Sequence, residues 1–200
     1  LGLYITGHPF DEYEKEARLL APKKLADIEE GKGVQKLAGL VVEMRVMKNK
    51  RGDNMGFITL DDRSGRMEVA LFSDIYESVC ELVEKDKVLL VEAIVAQDEY
   101  SGGLKATGRS LLDINQARLK YAQSLYIEVD AQKHEERLCD DLARVLKTRS
   151  DGCPVVLGFS NEVARCKLRL GDSWRIDPTD ELLQELRYLY GENAVELVFS

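Results

Sequence analysis

The stretch from Val34 to Val46 constrains most tightly what this chain can fold into. Ala38, Leu40, Val42, Met44 and Val46 recur at every second position, the period of a half-buried β-strand. Gly39, inside so long a run, is placed to let the strand bend sharply. A basic, turn-rich loop follows, Lys48-Asn49-Lys50-Arg51-Gly52-Asp53-Asn54. Met55–Asp62 reads as a second strand, Ser64-Gly65 as its turn and Arg66–Phe72 as a third. From Asp74 to Lys85 the spacing becomes helical, with Ile75, Val79 and Leu82 on one face and Asp74 suited to an N-cap. Lys87–Ala96 and Leu104–Ile114 read as fourth and fifth strands around the loop Tyr100-Ser101-Gly102-Gly103. Three hairpin-linked strands, a helix and two more strands, the first long enough to curve, predict a closed five-stranded OB-fold barrel over residues 34–114. The helix between strands three and four separates this order from other small barrels.

Residues 1–33 read as a helical segment and linker from a preceding domain: Leu3, Tyr4, Tyr13, Ala17 and Leu20 are apolar, Gly7 and Pro9 interrupt them, and Pro22 and Glu29–Gly33 break periodicity. Leu1, in place of an initiator Met, predicts a piece of a longer protein. A helical connector, 115–123, leads to a second unit over 124–200. There Leu125–Val129 alternates as a strand and Ala131–Lys147 carries an amphipathic helical pattern. Pro154–Phe159 and Val163–Leu170 read as a strand pair turning at Ser160-Asn161. Asp177-Pro178-Thr179-Asp180 starts a helix that Gly191 ends, and Ala194–Phe199 is a last strand. This order predicts a small α+β sandwich serving as a partner-docking domain.

No apolar run approaches the roughly 20 residues that span a bilayer, and no signal peptide is visible, so a cytoplasmic chain without membrane contact is expected. Cys80, Cys139, Cys153 and Cys166 lack metal-ligand spacing, and His8 and His134 lie far from them; scattered buried thiols and no structural metal are expected. Catalysis finds no footing either. Asp61 and Asp62 are strand neighbours pointing to opposite faces, Asp140-Asp141 fits a solvated helix face, and Gly31-Lys32-Gly33 and Gly102-Gly103 lack the context of a phosphate loop. No catalytic residue and no cofactor are expected in this segment.

An OB barrel takes oligonucleotides on the face of strands two and three, where aromatic rings stack bases and cations track phosphates. If Ile58 and Leu60 point inward, Phe57 faces out; if Met67, Val69 and Leu71 point inward, Arg66, Glu68 and Phe72 face out. Arg45, Lys48, Lys50 and Arg51 lie at the first loop, and Lys105 and Arg109 on strand five. Phe57, Phe72 and these cations, with Arg66, form the candidate nucleic-acid face. Between Lys36 and Arg66 seven basic residues stand against four acidic, but over Val34–Leu112 eleven stand against thirteen. With a chain charge of −8, weak, salt-sensitive binding of single-stranded DNA is expected. A barrel acting only as a protein-interaction scaffold is the alternative that the acidic balance favours. In the second unit, Leu197 and Phe199 are candidates for an exposed docking edge.

Leu1-Gly2-Leu3-Tyr4-Ile5-Thr6-Gly7-His8-Pro9 resembles the segment before the OB domain of bacterial DNA polymerase III alpha subunits. Ala38-Gly39-Leu40-Val41-Val42, Thr59–Arg66 and Ser101-Gly102-Gly103-Leu104-Lys105 resemble successive parts of that domain, and Trp174-Arg175-Ile176 and Val195-Glu196-Leu197 its C-terminal domain. The resemblance runs in order along nearly the whole chain. It implies a longer, Mg2+-dependent DNA-directed polymerase whose catalytic aspartates lie upstream, an OB domain holding the single-stranded template, and a terminal domain docking the clamp-loader tau subunit within the replisome. Phe57–Gly65 is also similar to the anticodon-binding OB domain of class II aspartyl-, asparaginyl- and lysyl-tRNA synthetases, in which a Phe at the place of Phe57 stacks on an anticodon base. Those enzymes have a Gln where Glu68 stands, and no class II motif follows Asn115, so an RNA-reading module is the weaker implication.

Overall fold

The computed structural model describes residues 9–98, 102–130, 138–146, 148–160 and 165–199. Readings made on residues 1–8, on Tyr100 and Ser101, on 131–137 with His134, on Lys147 and on 161–164 lie outside them. The chain divides into two compact units, Leu1–Ile114 and Asn115–Ser200.

In the first unit, helix α1 (Pro9–Leu20) and a 3₁₀ turn (Leu25–Asp27) precede strands β1 (Val34–Lys48), β2 (Asn54–Asp61) and β3 (Arg66–Leu71). Helix α2 (Ser73–Val79), β4 (Val88–Gln97) and β5 (Leu104–Asp113) complete it. The strands close as a barrel in the order β1-β2-β3-β5-β4, the OB arrangement, with β3 and β5 meeting in parallel. Closure depends on β1 serving two neighbours. Val34–Leu40 pairs with β4 and Leu40–Lys48 with β2, the register shifting between Val41 and Glu43.

That bulge corrects the expected alternation, because an extra residue swaps the faces of the strand. Leu37 and Val41 enter the barrel core, whereas Met44 and Val46 are 45% and 44% exposed. Ala38 and Leu40 are buried outside that core, on the side where α1 packs on β1. Gly39 also has a steric task. A Cβ there would stand 3.1 Å from both the Asp61 amide nitrogen and Leu60 Cβ, so glycine lets β1 and β2 approach closely.

Residues 9–33 pack on the barrel instead of forming a loose linker. Phe10, Ala17 and Leu20 are buried, Leu25 and Ile28 join the barrel core, and Gly31 N donates to Val95 O. Helix α2 is shorter than its periodicity suggests. Phe72 occupies its N-cap position and no side chain caps it, so Asp74 lies within the first turn; Val83 still reaches the core from the turn beyond.

The second unit contains α3 (Ile114–Tyr121), β6 (Ala122–Asp130), α4 (Leu138–Val145), β7 (Thr148–Cys153), β8 (Val155–Ser160) and β9 (Arg165–Arg169), then α5 (Asp180–Tyr190) and β10 (Val195–Phe199). Its sheet runs β10-β6-β8-β9, β6 and β8 being parallel. Alternation along β6 and β10 buries Leu125, Ile127, Val129, Val195 and Leu197 against Leu142, Leu183 and Leu186. Thr179 caps α5, its Oγ1 accepting from Leu182 N at 3.3 Å, and Gly191 ends it at φ 105°, a left-handed conformation that glycine supplies. Arg118 is 2% exposed, paired with Asp180 at 2.7 Å and donating to Pro178 O at 3.3 Å.

Readings of this unit change, and with them the expectation for the cysteines of the whole chain. Leu197, expected at an exposed edge, is 9% exposed and part of the core, because β10 pairs with β6 with Leu197 opposite Leu125. Phe199 is half-buried against the same core, and the exposed residues of β10 are Glu196 and Val198. Strand β7 occupies a stretch with no alternating apolar signal. The four cysteines are free, yet only Cys153 is buried; burial pushes its thiol up to about 11. Among the described residues no helix is long and apolar enough to cross a membrane.

Candidate nucleic-acid interface

Strand β2 alternates cleanly. Gly56, Ile58 and Leu60 are buried, and Met55, Phe57, Thr59 and Asp61 are half-exposed on the outer surface. Ladder pairing extends that surface sideways: Arg45 of β1 stands opposite Phe57, Phe57 opposite Ala70 of β3, and Ala70 opposite Thr107 of β5. Parallel to this row, Thr59 lies between Glu43 and Glu68. The two rows line an open cleft of about 360 Å³, together with Val42, Met44 and Lys85.

At its centre Arg45 Cζ lies 4.5 Å from the centroid of the Phe57 ring, and Arg45 Nη2 donates to Glu68 Oε2 at 2.8 Å. A guanidinium over a phenyl ring is itself a flat, cationic stacking surface. The cleft thus offers one aromatic plane, one cationic plane and two flanking carboxylates. Such a surface can stack a planar base on the Arg45–Phe57 pair and cannot, by these groups alone, neutralise many phosphates.

The cations expected here divide into two sets. Arg45 pairs with Glu68, Arg66 with Asp61 at 2.8 Å and Lys105 with Asp98 at 3.2 Å. Lys48, Lys50, Arg51 and Arg109 are exposed and carry no ion pair among the described residues. Lys50 and Arg51 belong to the loop between β1 and β2, and Lys48 is the last residue of β1. Asn49 folds that loop: its Oδ1 accepts from Arg51 N at 2.8 Å and Asp53 N at 3.0 Å, with Gly52 at φ 92°. Lys50 and Arg51 are left on the tip. Lys105, one residue before Ala106, comes level with Glu68 beside the Thr59 row, and Arg66 sits at the far end of the β2–β3 ladder.

Phe72 does not join Phe57. It lies one residue beyond the last β2–β3 pair, Gly56 with Leu71, and is 47% exposed at the start of α2. Lys85, Thr59 and Glu43 line the cleft without having been singled out in the sequence. Thr59 and Glu43 follow from the outward parity of Phe57, whereas Lys85, expected at the end of a helix, lies in a turn. Among the described residues no three His, Cys, Asp or Glu side chains gather as a metal site.

Comparison with known proteins finds relatives of this sequence. Residues 35–112 match the family model described as an OB-fold nucleic acid binding domain, and residues 141–191 match that of DNA polymerase III subunit alpha, C-terminal domain. The chain is 46% identical over 205 residues to the DNA polymerase III subunit alpha of Escherichia coli (strain K12), covering 100% of itself and 18% of that protein. With the same subunit of Pseudomonas aeruginosa it is 41% identical over 197 residues, 98% of this chain and 17% of the relative. It therefore spans less than a fifth of the length of these relatives. A domain of replication protein A from Methanococcus maripaludis overlays 48% of this chain and 97% of its own, with 16% identity and a TM-score of 0.39.

Proposed function

The chain belongs to the DNA polymerase III alpha subunit family, and from that premise we propose that its barrel holds single-stranded DNA while its second unit docks the clamp-loader tau subunit. Chemistry is left to the longer protein, a DNA-directed polymerase expected to use Mg2+; this segment contributes binding. The observation that carries the reading is the outward Phe57 ring roofed by Arg45, flanked at one end by the unpaired cations Lys48, Lys50 and Arg51. Bases stack on the Phe57–Arg45 pair, and the backbone runs toward the loop cations. With three of the expected cations held by carboxylates, affinity is weak and salt-sensitive. A module tethered to an enzyme already on DNA needs no more, because effective concentration supplies the rest.

Fluorescence anisotropy of the intact chain with labelled oligo-dT tests this. Phe57→Ala is expected to weaken binding about 5- to 100-fold, the worth of one stacked base. Lys50→Glu with Arg51→Glu should flatten the slope of log affinity against log salt by about 1.4 units, two phosphate contacts' share. Unchanged binding in both variants removes the proposed face.

Glu68→Gln works in the opposite direction. It frees Arg45 and removes a charge that repels phosphate, so affinity at low salt should rise about fivefold, the scale of one exposed ion pair. A fall in affinity would mean that the Arg45–Glu68 pair holds the stacking surface in its working position.

The acidic balance of the barrel favours one other reading, a scaffold for protein contacts that touches no DNA. Absence of binding to any oligonucleotide at low salt would select it. Displacement of oligo-dT by tRNA at lower concentration would select the RNA-reading module instead.

A further inference from the structure

All five residues of β9, Arg165–Arg169, are exposed, and β9 ends the sheet order β10-β6-β8-β9. Among the described residues no strand pairs with its outer edge. An open edge is a template for another strand, and proteins commonly blunt such edges with charge. Here the charge is of one sign and on one face. Arg165, Lys167 and Arg169 alternate with Cys166 and Leu168, so the cations share one side and Leu168, 51% exposed, lies on the other.

The cationic side is the outer surface of the sheet. Lys167 stands opposite Gly158, and its Nζ lies 5.0 Å from the centroid of the Tyr126 ring. Gly158 keeps that surface open, because a Cβ there would collide with the Tyr126 hydroxyl. Glu128, opposite Gly158 on β6, accepts from Tyr126 and faces Arg165 and Lys167, whereas Arg169 carries no ion pair among the described residues. In a chain of net charge −8, three cations within one five-residue strand make a local positive strip.

We propose that β9 accepts an extended peptide segment as an added strand, its acidic side chains on the Arg165, Lys167 and Arg169 face and its apolar ones beside Leu168. Strand addition uses the unpaired backbone edge for affinity and alternate side chains for specificity. A nucleic acid strand would meet the cations, but it has no peptide ladder of N–H and C=O groups for the edge. This deepens the docking half of the proposed function and rests on it, naming the chemistry of the partner segment.

The test uses the intact 200-residue chain and a fluorescein-labelled octapeptide alternating Glu and Val. A matching Lys/Val peptide and a Glu/Val peptide N-methylated at alternate residues serve as comparisons. The Glu/Val peptide is expected to bind at least about tenfold more tightly than the Lys/Val peptide, and N-methylation should abolish binding. Arg165→Glu/Lys167→Glu/Arg169→Glu should lose that binding at an unchanged melting temperature; if the variant melts early, the N-methylated peptide still decides. Equal binding of the two parent peptides, or tighter binding of oligo-dT at this strand, overturns the proposal. The tau subunit separates the two levels. Tau retained equally by wild type and charge-reversed chain overturns the β9 assignment and leaves docking intact. Tau not retained by wild type overturns docking, and the peptide result then judges β9 alone.

Discussion

Asp62→Ala is expected to destabilise the first unit by about 3–5 kcal/mol, the range for removing one partner of a buried ion pair. Asp62 is 1% exposed. Its Oδ2 accepts from Arg18 Nη2 at 2.6 Å and Leu25 N at 2.9 Å. Its Oδ1 accepts from Ser64 N at 3.0 Å, Ser64 Oγ at 2.6 Å and Gly65 N at 3.2 Å. One carboxylate thereby fixes the β2–β3 turn and ties residues 18–25 to the barrel, and alanine removes all five of these contacts. Burial alone would raise its pKa, but hydrogen bonds from Ser64, Leu25 and Arg18 together hold it below the usual carboxylate range. A depressed folded value means that the contribution is present above about pH 4 and fades as pH falls through the folded value. Wild type should therefore lose stability on acidification more steeply than the variant. Amide hydrogen exchange along β2 and β4 isolates this unit: those amides should exchange at least about a hundredfold faster in the variant. A change below about 1 kcal/mol would show that the carboxylate is dispensable.

Gly152→Ala should be as damaging in the second unit. A Cβ at Gly152 would lie 2.7 Å from the carbonyl carbon and 2.8 Å from the nitrogen of Ile176, and closer still to its carbonyl oxygen. These are backbone atoms of a residue that is 0% exposed, so no side chain can turn aside. The surroundings resist a shift as well. Cys153 bridges to Ile176, and Arg175 Nη1 donates to Gly152 O at 3.0 Å. Overpacking costs about 1–3 kcal/mol where neighbours can adjust; with backbone as the obstacle, a loss of about 3 kcal/mol is expected, lowering the melting temperature by more than about 10 °C. Trp174, the only tryptophan and two residues from Ile176, reports the transition by fluorescence. Gly171→Ala is the control, since a Cβ there meets nothing within 4 Å and the backbone φ is −65°; its effect should stay within about 0.5 kcal/mol. Equal melting of the two variants would contradict the account.

The barrel was legible because its evidence is local. Period-two alternation in β2 and β3 sets Ile58, Leu60, Met67, Val69 and Leu71 against Phe57 and Glu68 within a few residues of one another, and the order of elements does the rest. In β1 the same logic misled by putting Ala38 and Leu40 on one face with Met44 and Val46, because the bulge after Val41 reverses parity and leaves no mark in composition. Pairings distant in sequence were invisible. Arg18 reaches Asp62 across 44 residues, and Arg45 reaches Glu68 across 23. Consequently Arg45 read as available when Glu68 holds it; Arg66 and Lys105 are held from only 5 and 7 residues away, across a turn and a loop whose side-chain geometry the sequence does not give. Leu197 looked like an edge residue because a terminal strand can be open; pairing with β6 on one side still turns alternate residues into the core. Residues 9–33 looked like a linker because Gly and Pro punctuate them, while Leu25 and Ile28 find their partners in strands far along the chain.

Photo-crosslinking puts the proposed DNA path to the most direct test. An oligo-dT carrying 4-thiothymine, bound to the intact chain at low salt and irradiated, should attach within the peptides holding Arg45 and Phe57, and 0.5 M salt should suppress the reaction. Attachment confined to other surfaces, with those two peptides unmodified, would contradict the account.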